Sequence, residues 1–410
     1  SSVQDRRDGL ILEHRRPVDV RKTLPEVDRS DVVGEFRHLG EDRRGVLGHP
    51  RDEWGFSVAH ARTVSARDNQ CMDPVGADTE ELPDAAALIA TVIAPAAEQV
   101  DVVGVQRSAI DALAAAGLFG SPLAPAPQRE LTELLAAADA STWFCWVQHQ
   151  TPLRTLALAC PSDATPDVEN LRDSLLACMK AGRLLSAVAF AHLRRGWPPN
   201  PVATRTADGW MLNGSLDWVT SWDIADVVMI MARTDHADTP TVISCFLPAG
   251  RADVATPGLE VGEPLSLLAM GGTHTRPLAL RDVFVPEASV AAVDDLGDWL
   301  AADSVKTVDA SPAAFGVTRG ALRELNELAV ARGDTDIKRS VERLALQCRE
   351  IRRAAYSLAD RPSESNSAER LELRAASLDL VVRATTAVVI ARAGAGVLSG
   401  TSAERRVREA

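Results

Sequence analysis

The stretch NGSLDWVTSWDIADVVMIMARTD, residues 213–235, decides how this chain reads. A β-branched, apolar run closes at Trp218-Val219-Thr220-Ser221, aspartates follow, and a second strand-like run, VVMIMA, resumes. Such runs, bounded by polar punctuation, predict two strands joined at the lip of a sheet. A large aromatic and two adjacent hydroxyls at that lip raise the question of what they would hold.

Working outward, residues 184–293 keep the strand signal. VATRTA, WMLNG, VVMIMA, TVISCFLP and LALRDVFVP are separated by DG, NG, PG and GG dipeptides, and ADGWMLNG is the strongest hairpin signal. No helical pattern lies between them, which predicts an antiparallel barrel or sandwich rather than βαβ units. Residues 72–183 read as helices instead. ELPDAAALIATVIAPAAEQVD is alanine-rich with helical spacing, SAIDALAAAGLFG opens on Ser108 as a cap and ends at glycines, and ELTELLAAADASTWFCWVQHQTPLRTLALA supplies two more. Residues 294–410 return to the helical period in three long segments, AAFGVTRGALRELNELAVAR, IKRSVERLALQCREIRRAAYSLAD and AERLELRAASLDLVVRATTAVVIARAG. The third is nearly all apolar, as expected for burial in a bundle or at a subunit contact. The expected fold is α+β and multi-domain: an N-terminal helical domain, a middle antiparallel β-barrel or sandwich, and a C-terminal four-helix-bundle-like domain.

Composition narrows the function. The 410 residues carry a formal net charge of −13, which argues against nonspecific binding to nucleic acid or to an anionic membrane. The six cysteines are scattered and form no C-x-x-C pair, which excludes a cysteine metal site and fits a reducing, cytoplasmic setting. No metal and no membrane span are expected. Residues 1–71 differ from the rest, with 13 basic and 13 acidic residues, four of the eight histidines and no methionine. They read either as a disordered charged arm or, the preferred reading, as a segment upstream of a biological start near Met72.

Five segments in order resemble the acyl-CoA dehydrogenase family across roughly residues 80–410. IAPAAEQVD…IDALAAAGLFG is similar to its N-terminal helices, and ADGWMLNGSLDWVTSWDIADVVMIMARTD to its G-x-x-x-x-N-G-x-K-x-W-I-T-N stretch. LLAMGGTHTRPLALRDVFVPEASV resembles K-M-G-x-R-x-S…F-x-D-V-x-V-P, AAFGVTRGALRELNELAVAR resembles the helix ending Y-A-x-x-R, and ARAGAGVLSGTSAERRVREA resembles G-G-x-G-Y…R-D-A. The resemblance implies FAD, whose ring needs an aromatic wall and fixed donors at its edge. Trp218 would be the wall, and Thr220 and Ser221 the polar edge, with Phe190, Ala191 and Gly196 alongside. Arg332 would reach the pyrophosphate of a flavin held largely by a neighbouring subunit, and Gly394 and Gly396 would turn near the adenine or simply end a helix. Acyl-CoA as substrate, an electron-transfer flavoprotein as acceptor, and a homodimer or homotetramer are implied in the same way.

Two departures stand out. The family's T-E-P-x-x-G-S-D loop aligns with Ala191-His192-Leu193-Arg194-Arg195-Gly196-Trp197-Pro198, where only the glycine is kept. Arg194, Arg195 and Trp197 would meet a phosphate of the substrate there, or the arginines are solvated surface groups. The family's glutamate base lies a few residues beyond R-D-A, here Arg408-Glu409-Ala410, and the alternative position near Lys306 holds no carboxylate. Asp303 and Asp309 read as helix-entry caps, leaving the catalytic base unassigned. His149 reads as a core histidine and His192 as a candidate acid or base. The leading expectation is α,β-dehydrogenation of an acyl-CoA with hydride passing to flavin N5. A flavin monooxygenase on the same fold and a catalytically silent flavin-binding or partner subunit remain beside it.

Overall fold

The computed structural model describes residues 82–120, 123–158, 166–195, 201–234, 240–252 and 254–410, with side chains omitted over 166–171. The segment before Met72, Gly196 and Trp197 lie outside these residues. Six helices come first: α1 Pro83–Leu88, α2 Ala97–Val103, α3 Arg107–Ala115, α4 Pro125–Ala138, α5 Ala140–Leu158 and α6 Pro166–Lys180. Eight strands follow: β1 Ser186–Ala189, β2 Val202–Arg205, β3 Gly209–Val219, β4 Val227–Thr234, β5 Thr241–Pro248, β6 Leu259–Val261, β7 Arg276–Pro286 and β8 Val290–Asp295. The described chain closes with α7 Leu296–Thr307, α8 Pro312–Arg332, α9 Thr335–Ala359, α10 Ser367–Arg392 and α11 Ser402–Glu409.

The strands form one sheet in the order β6-β7-β3-β2-β4-β5-β8, with β1 also on β4. Most pairs are antiparallel, but β1 and β2 both run parallel to β4. They share one edge of β4 in tandem: β1 ends opposite Ile230 and β2 begins opposite Arg233. The ADG hairpin forms as expected, with Arg205 paired to Trp210. Its Gly209 is obligatory, since at φ 156° a Cβ would stand 2.2 Å from the Val285 carbonyl oxygen. The Asn213-Gly214 pair, expected as a second turn, is instead a bulge within continuous β3. Asn213 bonds both the backbone N–H and the carboxylate of Asp282 across the ladder, so the dipeptide distorts the strand without reversing it.

Ser108 is not the cap of α3. The helix starts one residue earlier, behind Gln106. In α8 the punctuation works as the physics requires: Ser311 accepts from the Ala313 N–H, Pro312 takes the first position and Gly333 closes the helix at φ 64°. Gly316 and Gly320 let α8 lie close on α4, because a Cβ on either would come within 2.6 Å of a backbone carbonyl of Glu133 or Ala137. That proximity buries an ion network. Arg319, 1% exposed, bonds Glu133 at 2.9 Å and Glu130 at 3.0 Å, and Arg352 and Tyr356 of α9 each reach Glu133 at 2.6 Å. Two guanidinium groups and two carboxylates neutralise one another in a dry interface.

Two helical stretches, Pro83–Val103 and Glu364–Val397, are long and apolar enough to cross a bilayer by length and composition, where no span was expected. Each lays one face in a core: Ala85, Ile89 and Ile93 in the first, Leu380, Ala384 and Val388 in the second.

Arg319→Met leaves Glu130 and Glu133 short of a counter-charge in that interface. It should cost about 3–5 kcal/mol of unfolding free energy in urea titrations. A change under about 1 kcal/mol would show that the network does not hold α4, α8 and α9 together.

Candidate active site

The tandem sharing of β4 leaves a gap opposite Met231, whose carbonyl has no strand to bond. The chain between β1 and β2 fills it. His192, in the short turn Ala191–Arg194, places Nε2 2.7 Å from the Met231 oxygen, doing the work of a missing strand. The Nε2–H must therefore donate, and burial pushes the ring's pKa down to about 4. A histidine so occupied is a structural prop near neutral pH, which corrects the reading of His192 as acid or base. His149 is the core histidine expected: Nδ1 accepts from the Ser186 N–H at 2.9 Å, Nε2 faces the Met179 oxygen at 3.2 Å, and burial again sets the pKa near 4.

Trp218 owes its position to a second bulge. The β3–β7 register slips by one residue between Leu216–Leu278 and Val219–Arg276, so Asp217 and Trp218 both face outward between two buried residues. The indole is 53% exposed and borders a shallow depression with Ala191, His192, Arg195 and Asp217. Thr220 follows the end of β3 and is buried, its Oγ1 3.1 Å from Thr275 Oγ1, which in turn sits 2.8 Å from Thr273 Oγ1. Ser221 departs from expectation. At φ 68° it turns inward, its buried hydroxyl set beside the Cys145 thiol, which burial pushes up to about 12.

The other assigned residues divide. Phe190 does not border the indole; it turns to the opposite side of the loop and meets Trp299 edge-on at 6.2 Å. Arg194 stacks over Phe190 and grips Asp303 through two bonds of 2.7 Å, while Arg195 pairs with Asp217 beside Trp218. Asp303 is consequently not a cap: it lies inside α7, which Asp295 caps by accepting from the Asp298 N–H. Asp309, between α7 and α8, is held by Arg370 at 2.7 Å. Arg332 donates to the Ala391 carbonyl, next to the turn Ala393–Val397 that contains Gly394 and Gly396. These three meet at one end of the helical bundle, and no bond joins them to the Trp218 group among the described residues.

Sequence reasoning missed a cavity of about 530 Å³ bounded by α5, α7 and the sheet. Phe190, Arg194, Trp299, Asp303 and Lys306 line one side, Arg154 and Leu158 another, and Ser244 and Asp294 belong to the sheet. A serine in the otherwise apolar run TVISCFLP was the signal available.

No family model matches the chain. The short/branched chain specific acyl-CoA dehydrogenase of Bos taurus is 33% identical over 88 residues, 22% of this chain and 19% of the bovine protein. L-prolyl-[peptidyl-carrier protein] dehydrogenase of Serratia sp. is 27% identical over 138 residues, 33% of this chain and 35% of that protein. The match thus spans about a third or less of these curated relatives. Among solved structures, butyryl-CoA dehydrogenase of Megasphaera elsdenii superposes with a TM-score of 0.63 at 19% identity, covering 81% of this chain and 91% of that one.

Replacing His192 by Gln removes one group that must stay neutral in the folded state. Its depressed pKa means that the histidine favours folding above about pH 6.5 and that this contribution is lost as pH falls toward 4. Wild type should therefore lose stability faster than the variant across that window, by up to about 1.4 kcal/mol per pH unit in urea midpoints. Parallel curves would refute the buried neutral ring. On the order of its helices and strands and these likenesses, the chain carries the fold of the acyl-CoA dehydrogenases and is similar to them in sequence over part of its length.

Proposed function

We propose that the chain is an FAD-dependent oxidoreductase that dehydrogenates the Cα–Cβ bond of an acyl thioester, an acyl-CoA in the simplest case. The observation that carries this reading is the Trp218 bulge: an exposed indole beside the Ala191–Arg194 turn, with Thr220 two residues on in the chain, buried against Thr275. A flavin ring is a flat plate with hydrogen-bonding edges, and that surface fits it. Trp218, Ala191 and Thr220 would hold the ring, which when bound accepts hydride at N5.

The protein's own contribution lies around the neighbouring cavity. Phe190 and Trp299 would shield an acyl group from water. The Arg194–Asp303 pair fixes the turn carrying Ala191 to α7, so the ring surface and the acyl cavity keep one spacing. Asp303 and Asp309, engaged by arginines, are poorly placed to take an α-proton.

Arg332 and the Ala393–Val397 turn fit the phosphate end of the coenzyme only if a second copy supplies them, because they stand apart from Trp218. The outer face of α10 supports that arrangement: Leu371, Leu378, Val382 and Ile390 are 44–72% exposed in a stripe, a face suited to burial against a like chain. A homodimer or homotetramer in the cytoplasm, delivering electrons to an electron-transfer flavoprotein, completes the proposal. The four cysteines among the described residues form no disulfide, which fits a reducing compartment.

Protein purified with its coenzyme should show the visible flavin absorption bands. Trp218→Ala should weaken flavin retention roughly ten-fold by removing the ring's wall. A colourless protein that takes up no flavin would overturn the reading in favour of a silent subunit. Leu378→Glu combined with Val382→Glu should convert the oligomer to monomer in light scattering after size exclusion and release flavin with it. A variant still assembled and still loaded would exclude the α10 face.

A further inference from the structure

The cavity beside the loop holds polar groups that a hydrocarbon would not need. Its floor is a cross-strand row in which Met231 pairs with Ser244 and Ser244 with Ala292. Ser244 is fully buried, and its Oγ has no hydrogen-bond partner. Asp294 lies two residues along β8 on the face of Ala292 and lines the same cavity; it keeps contact with solvent there, and the partial burial of its carboxyl shifts it above the ordinary range. The remaining carboxylate of the cavity, Asp303, is already neutralised by Arg194. The cations Arg154 and Lys306 belong to α5 and α7, across from the strand that carries Asp294.

A purely aliphatic acyl group would be served by Phe190, Leu158 and Trp299. It would also strip water from Asp294 and leave the Ser244 hydroxyl unsatisfied, both unfavourable. Diagonal neighbours on adjacent strands have Cα atoms about 7–8 Å apart, so one small N–H donor can lie between the Ser244 and Asp294 side chains. A protonated amine meets both needs, while Arg154 and Lys306 suit the anionic end of the same molecule.

Resting on the acyl-thioester reading above, we propose that this cavity selects an acyl group bearing a protonated amine, with Asp294 as its counter-ion and Ser244 Oγ as a second acceptor. These are specificity residues rather than catalytic ones. The substrate class is then an aminoacyl thioester, distinguished from a hydrocarbon acyl thioester of equal size.

The test is calorimetric binding of two unreactive amides of phosphopantetheine to the full chain, with and without flavin. One carries an aminoacyl group and the other its isostere with methyl in place of ammonium. The aminoacyl amide should bind at least roughly ten-fold more tightly. Asp294→Asn should abolish that preference, and Ser244→Ala, which removes a hydroxyl without a partner, should reduce it without lowering stability. Equal affinity, a preference for the methyl isostere, or no binding of either amide overturns the proposal. So does an Asp294→Asn protein that keeps the preference but loses turnover, which would make Asp294 the base. Failure of the flavin reading is recorded separately, by missing visible absorption bands.

Discussion

The edge of β4 is the constraint on which the site depends. A buried strand must satisfy its backbone along its whole length, since an unpaired carbonyl in a dry sheet is costly. Here two short strands share that edge and neither reaches Met231. The chain must leave the sheet between them, and the side chain that bridges the gap, His192, pins the start of the excursion, three residues after β1. Ala191 is thereby set on Trp218's side and Phe190 and Arg194 on the side of α7, from a single turn of four residues. The two recesses are back to back because one break in one ladder creates both.

Helix packing fixes the other wall. Phe190 meets Trp299, and Arg194 clasps Asp303, so α7 is registered against the same turn that the sheet positions. The bundle behind α7 is set by Gly316 and Gly320, which bring α8 onto α4 closely enough that Arg319, Glu130 and Glu133 lose their water together. Burial of this kind does not add much stability for its own sake, but it penalises any shift of register that would separate the partners. The charges hold the helices in place more than they hold them together.

Much of this was legible in the sequence where local chemistry decides the outcome. The order of helices and strands, the ADG hairpin, the end of α8 at Arg332, and an aromatic at the lip of the sheet in WVTS all follow from residue types at short range. What failed depended on partners far along the chain. Asn213-Gly214 became a bulge because Asp282, 69 residues on, supplies the bonds a turn would have made internally. Asp303 reads as a cap until Arg194 is brought to it across 109 residues. Ser221 shares a hydroxyl-bearing motif with Thr220, yet a positive φ, invisible in composition, turns it inward. His192 could not be understood before the gap in β4 was known.

The cavity beside the loop handles its polar groups differently from the ion pairs of the helical bundle. Where the chain buries charge for architecture it supplies both partners: Arg319 with Glu130 and Glu133, Arg392 and Arg406 with Glu324, Arg405 with Glu409. Ser244, without a hydrogen-bond partner, and Asp294, without an ion pair among the described residues, depart from that pairing at a cavity of about 530 Å³ beside the altered loop. A serine in a core strand and a partly desolvated carboxylate next to it each weaken the sheet they belong to, relative to an alanine and a valine. The fold tolerates both at a site where it also withholds a partner, and the economical physical reason is that the partner arrives with the ligand.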